Sequence, residues 1–203
     1  RQVAKVLEDI GGERAVEALV EVLKKASWAA QKEIIRVLTS FGWSPLSDEE
    51  RAYFLISKGS WSELEKLGDA AVPALSNALT DEDRYVRRQA AKVLGRLGDP
   101  GAVESLMDAL DGEDSFLRCM AAESLGKIGD RAAVPALLTA LSSEDPWVKG
   151  YAVDALGMIG DGRALEPRIG VIRTGGNRGR PAGARALAGI GNAAGEPHDA
   201  VPS

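Results

Sequence analysis

The chain has 203 residues, 45% of them hydrophobic and 27% charged, with a formal net charge of −5 and a single cysteine, Cys119. That apolar content is enough to bury a real core in one elongated domain, while the negative balance argues against general nucleic-acid binding. One cysteine excludes an internal disulfide and fits a reducing compartment such as the cytoplasm, and no apolar run reaches the roughly 18 residues of a membrane span.

The sequence begins at Arg1 inside a helical pattern, without an initiator Met or the shape of a signal peptide, as a fragment or trimmed product would. Val3, Leu7 and Ile10 have helical spacing that stops at Gly11 and Gly12. Residues 13–24 follow as an amphipathic helix carrying Val16, Leu19, Val20 and Leu23 on one side. Ser27 is expected to cap a helix reaching about Phe41, with Ile34, Val37 and Leu38 on its apolar face. Residues 42–62 break this rhythm. Trp43-Ser44-Pro45 reads as a turn, Ser47 to Glu50 has the form of a capping box opening a helix to about Ser57, and residues 63–67 start another. Tyr53, Phe54, Ile56, Trp61 and Leu64 supply apolar surface that must be buried, so the segment reads as a modified repeat and not a linker.

From Ala70 the units become regular. Their first helices carry Val72-Pro73-Ala74-Leu75, then Val103 with Leu106, then Val134-Pro135-Ala136-Leu137, and the prolines fall in the first turn, where no intrahelical bond is lost. The second helices repeat at a period of about 31 residues: DRYVRRQAAKVLGRLGD from Asp83, DSFLRCMAAESLGKIGD from Asp114 and DPWVKGYAVDALGMIGD from Asp145. The leading Asp suits an N-cap and the helix dipole, and the closing Gly suits a helix stop. Self-similarity at such a period marks a solenoid of stacked units. After Asp161 the pattern decays: Arg168 stands where Leu106 and Leu137 stood, and a Gly- and Arg-rich stretch follows. The expectation is one solenoid over residues 1–192, irregular at 43–68, regular at 69–161 and degenerate at 162–192, followed by a disordered tail at 193–203.

Val86-Arg87, Ala90-Ala91, Leu94-Gly95 and Gly98-Asp99 resemble the pattern of the phycobilisome-lyase-type HEAT-like repeats of bacteria and archaea, and the copies at Leu117-Arg118 and Val148-Lys149 follow it nearly as well. The resemblance covers residues 70–161 firmly. It implies an all-α α-solenoid, a right-handed superhelix of stacked antiparallel helix pairs with repeats of about 31 residues. It says little about function, since the family serves mainly as scaffolding.

At 100° per residue, Val86, Ala90, Val93, Leu94 and Leu97 gather on one side of their helix. Ala91 and Gly95, Ala122 and Gly126, and Val153 and Gly157 flank that side, small enough for neighbouring helices to approach closely. The opposite arc holds Tyr85, Arg88, Gln89 and Lys92 in one copy. Phe116, Cys119 and Met120 follow in the next, and Trp147, Tyr151 and Asp154 in the third. The resemblance implies that this arc lines a concave surface. Tyr85, Phe116 and Trp147 share one position, so stacking would align them into an apolar ridge suited to a protein or peptide partner; the alternative is that they staple the helix starts. Arg87, Arg118 and Lys149 recur at one position and Asp99, Asp130 and Asp161 at another, as a ladder of inter-repeat ion pairs and capping bonds would. Arg84, Arg88, Lys92 and Arg96 form a basic stripe that Ser115, Cys119 and Glu123 do not continue, which argues against a phosphate track.

Chemistry is sparse. The single histidine, His198, lies in the expected tail, so no His/Glu or Cys/His metal set and no Ser-His-Asp or Cys-His arrangement can be assembled, and no cofactor is implied. The run Asp81-Glu82-Asp83 reads as solvated turn and cap. The expectation is a scaffold binding a protein or peptide, with no membrane and no nucleic acid. A bilin lyase subunit is the alternative that the family name suggests, and a HEAT-like DNA glycosylase would require a basic groove.

Overall fold

A computed structural model describes residues 12–23, 26 and 28–161. The expectations for residues 1–11, for the Ser27 cap, for Arg168 and for the tail concern residues outside that set. Among the described residues every regular element is helical, and none is long and apolar enough to cross a membrane. By packing, the chain divides into two compact units, Arg1–Val93 and Leu94–Ser203.

The first unit contains α1 (Gly12–Leu23), α2 (Trp28–Ser40), α3 (Asp48–Lys58), α4 (Trp61–Leu67) and, after a 3-10 turn at Gly68–Ala71, α5 (Val72–Ala78). Helix α1 packs on α2, α2 on α3, and α3 on both α4 and α5. Leu23, Ile35, Leu38, Leu64 and Leu75 are sealed inside, each contributing about 1.5–3 kcal/mol of transfer free energy. Ser47 caps the helix as its sequence dictates, its Oγ accepting from the Glu50 N–H, while the Glu50 carboxylate reaches one residue beyond the cap and accepts from the Leu46 N–H at 2.9 Å. Gly59 closes α3 in the left-handed conformation (φ 69°), which only glycine adopts cheaply. Tyr53, Ile56 and Leu64 are buried and Phe54 and Trp61 half-buried, so the irregular segment belongs to the core, as its apolar residues require.

One reading is corrected here. Asp81 is not a solvated turn residue: it is 2% exposed. Its carboxylate accepts from Trp28 Nε1, from Lys32 Nζ and from the Asp83 N–H, and Arg87 donates to its carbonyl at 2.7 Å. Trp28 and Lys32 lie one turn apart on α2, so a single carboxylate ties α2 to the turn after α5. Burial alone would raise its pKa. The bonds from Asp83, Trp28 and Lys32, with the Lys32 charge, outweigh it and hold the carboxyl below its ordinary value.

Helix α6 (Arg84–Leu97) starts in the first unit, and from Leu94 onward its residues belong to the second. The second unit continues with α7 (Val103–Asp111), α8 (Ser115–Ile128), α9 (Val134–Ala140) and α10 (Pro146–Ile159). Helix α7 pairs with α8 and α9 with α10, while α8 stacks on α10 and α7 on α9; this is the organisation that a period of one helix pair predicts. Short 3-10 turns at Pro100–Ala102 and Arg131–Ala133 lead into α7 and α9. The Asp of each Gly-Asp pair caps them, Asp99 accepting from the Gly101 N–H and Asp130 from the Ala132 N–H. Leu106, Leu125, Leu137 and Leu156 are fully buried. The small residues act as their spacing implies. A Cβ placed on Gly126 would sit 2.7 Å from the Ala155 Cα, and one on Gly95 would sit 2.5 Å from Ser124 Oγ, so backbone and side chain already occupy the space.

Candidate functional site

The second helix of each regular copy starts at a capping aspartate, and that cap decides which side chains face outward. Asp83 accepts from the Tyr85 N–H at 2.8 Å, Asp114 from Phe116 at 3.1 Å and Asp145 from Trp147 at 2.8 Å. The backbone of each aromatic residue is thereby fixed in the first helical turn. One residue on, a rotation of about 100° turns the side chain inward: Leu117 and Val148 are buried. The aromatic side chains point the other way, Tyr85 57% exposed, Phe116 65% and Trp147 73%.

Within the second unit, α8 and α10 pack together and carry Phe116 and Trp147 at matching positions. Met120 and Tyr151, one turn further along, are half-buried, Asp154 is half-buried, and Met158 near the end of α10 is 54% exposed. Burial first, then the neighbouring acidic groups, chiefly the Glu123 carboxylate, push the Tyr151 phenol above its ordinary pKa, so it stays a neutral hydroxyl. In the first unit, Tyr85 meets Trp61 edge to face with centroids 6.3 Å apart. Beside it on α6, Arg88 and Gln89 are half-buried and Lys92 is exposed.

Cys119 departs from the expected arc. The wheel of α8 places it outward, but it is 5% exposed. Its electrostatic neighbours include Asp145, the cap of α10, so the stacked copy covers what its own unit leaves open. Burial, then the Asp145 charge, pushes the thiol up to about 11, which leaves it protonated near neutrality and a poor nucleophile.

Sequence reasoning missed two features, one that joins repeats and one that closes each repeat on itself where inter-repeat ion pairs were expected. Ser115 Oγ donates to the Asp145 carboxylate, linking the start of α8 to the cap of α10. That bond first, then backbone donation from Trp147 and Val148 against a burial penalty, holds Asp145 below its ordinary value, so it is a weak base. The side chains at the recurrent basic position reach carbonyls: Arg87 donates to those of Asp81 and Glu82, and Arg118 to that of Leu110. The repeat spacing marks these arginines, but their acceptors are backbone groups that no side-chain pattern reveals. Among the described residues no set of His, Cys, Asp and Glu could hold a metal ion.

The family described as HEAT repeats matches residues 60–120 and 106–188, and the PBS lyase HEAT-like repeat matches residues 1–25. Comparison with curated proteins returns no match. Among solved structures, the chain is similar to the complex of CpcE and CpcF of phycocyanin lyase from Nostoc sp. PCC7120, at 29% identity, 74% coverage of this chain, 67% of that chain and a TM-score of 0.59. Human deoxyhypusine hydroxylase in complex with glycerol is 22% identical, with 89% of this chain and 75% of that chain covered and a TM-score of 0.53. An engineered protein is 22% identical, with 95% and 96% covered and a TM-score of 0.51. The last two likenesses speak for the all-α solenoid fold alone.

Proposed function

Because this chain belongs to the HEAT-repeat family, whose pattern covers more than half of it, we propose that it is a scaffold, not a catalyst, that binds a protein or peptide on the exposed face of its second helices. The observation that carries this reading is the exposure of Phe116 and Trp147, 65% and 73%, on two helices that stack. Exposed aromatic rings leave much of their apolar surface in water, and aromatic anchors ringed by half-buried Met and Tyr are the composition from which protein hot spots are built. Met120, Tyr151 and Asp154 complete this face, and Tyr85, Arg88, Gln89 and Lys92 occupy the same arc on α6. Cys119 is left out of it because it is buried. A buried thiol and no disulfide suit a cytoplasmic setting.

The test is a double variant, Phe116→Ala/Trp147→Ala, used with the partner captured from the native source. Both side chains are exposed, so the variant should keep its helicity and unfolding midpoint. Losing two anchors is expected to weaken binding at least about 30-fold by calorimetry. Unchanged affinity removes the proposal.

A second reading is a bilin lyase subunit, or a lyase-like component that handles a chromophore protein. The 29% identity to the CpcE–CpcF complex over 74% of the chain favours it. Titration with a free bilin, followed by visible absorbance, separates the two: a saturable spectral shift supports the lyase reading, and an unchanged spectrum supports the scaffold.

A further inference from the structure

The two most exposed aromatic side chains among the described residues, Phe116 and Trp147, are tied together through one carboxylate. Asp145 accepts from the Trp147 N–H with Oδ1 at 2.8 Å and from Ser115 Oγ with Oδ2. Ser115 immediately precedes Phe116, whose own N–H is held by Asp114 at 3.1 Å. A short chain of bonds therefore runs from the backbone of one aromatic residue to the backbone of the other. Farther along, α8 and α10 meet where Gly126 leaves room for Ala155, 2.7 Å separating a Cβ built there from the Ala155 Cα. Ser115 lies about three turns, or about 16 Å, from that contact. With the contact as a pivot, a tilt of about 5° would displace the aromatic ends by about 1.4 Å. The hydroxyl is not a general requirement of the repeat: Arg84, Ser115 and Pro146 occupy this position in the three copies, and proline has no hydroxyl to carry the link onward.

We propose that Ser115 and Asp145 are positioning residues for the docking face, their hydroxyl–carboxylate link holding Phe116 and Trp147 at a fixed spacing so that both rings enter a protein partner together. The inference rests on the scaffold reading and adds to it the residues that set the spacing of its anchors. Ser115 and Asp145 are half-buried beneath the rings, and neither has to touch the partner. Two anchors on a braced pair of helices lose less freedom on binding than two anchors on helices free to tilt, and they keep the geometry that a packed contact demands.

The experiment compares Ser115→Ala, Ser115→Thr and Asp145→Ser. Ser115→Thr keeps the hydroxyl, and Asp145→Ser keeps a capping oxygen without a second one to reach Ser115. Spin labels at Phe116→Cys and Trp147→Cys report the spacing as dipolar broadening in frozen solution, Cys119 being buried and protonated and so left unlabelled. The spacing should be narrow in the parent and in Ser115→Thr, and spread in Ser115→Ala and Asp145→Ser. Affinity is read by calorimetry with a peptide selected by display on the wild-type chain and counter-selected against Phe116→Ala/Trp147→Ala. Ser115→Ala should weaken that peptide about three- to tenfold and Ser115→Thr less than about twofold. In a Phe116→Ala background only one ring remains to be placed, so Ser115→Ala should cost no further affinity there, although it lowers the unfolding midpoint equally in both backgrounds. Identical broadening with and without the hydroxyl, or an equal loss of affinity in both backgrounds, would overturn the proposal and leave the scaffold reading standing. Binding of the captured partner that ignored Phe116→Ala/Trp147→Ala would remove both.

Discussion

Asp81→Ala is expected to lower the unfolding free energy of the first unit by about 3 kcal/mol, read as a shift in the urea midpoint and as faster amide exchange in α2. The magnitude follows from which donors lose their acceptor. Lys32 is 43% exposed on its side chain, so its ion pair with Asp81 contributes little and its ammonium simply returns to water. Trp28 is 8% exposed, and its indole N–H would be left without an acceptor. The Asp83 N–H, which bonds the same carboxylate at 2.7 Å, belongs to an exposed residue and can turn to water at smaller cost. The orphaned indole donor costs about 1–3 kcal/mol, and the lost Asp83 bond adds to it. Asp81→Asn, which can still accept one bond, should lose about half as much. Because the folded carboxyl sits below its ordinary value of 3.8, its charge contributes stability in full above that pH. The contribution is lost as pH falls from there through the folded value. The gap between the wild type and Asp81→Asn should therefore be constant near neutrality and close in acid. A gap that widened on acidification would mean that the carboxylate is a burden to the fold.

Gly126→Val is expected to destabilise the second unit by about 3 kcal/mol, whereas Gly150→Ala should stabilise it by about 0.5–1 kcal/mol. Both glycines are helical, and what they touch decides the sign. A side chain at Gly126 meets the Ala155 Cα at 2.7 Å, its Cβ at 3.0 Å and Met158 Sδ at 3.2 Å; the sulfur could swing away, but the backbone of α10 could not without α8 and α10 parting. At Gly150 nothing lies within 4 Å of a new Cβ, so alanine there only removes backbone freedom from the unfolded chain. Thermal unfolding of the two variants against the wild type checks the pair. If Gly126→Val unfolded like the wild type, α8 and α10 would not be in the close contact described.

Much of this was legible in the residues because the features were local. The capping aspartates 83, 114 and 145, the closing glycines 98, 129 and 160, and the Ser47 to Glu50 box each act within a few residues of themselves. The small residues at 95 and 126 were readable because a fixed period brings each copy against the next. What escaped notice depended on a neighbour. Asp81 lies in an acidic run that looks solvated, and only Trp28 and Lys32, some fifty positions earlier, reveal it as buried. The wheel that exposes Phe116 also exposes Cys119, because it knows only the helix to which the cysteine belongs; the copy stacked on that helix buries it.

The most direct measurement is hydroxyl-radical footprinting of the protein with and without its captured partner. Phe116, Trp147 and Met158 are all exposed in the free chain and should lose most of their oxidation when the partner is bound, while Leu46, 93% exposed on the other unit, should react as before. Full oxidation of Phe116 and Trp147 at saturating partner would mean that those rings serve no docking role.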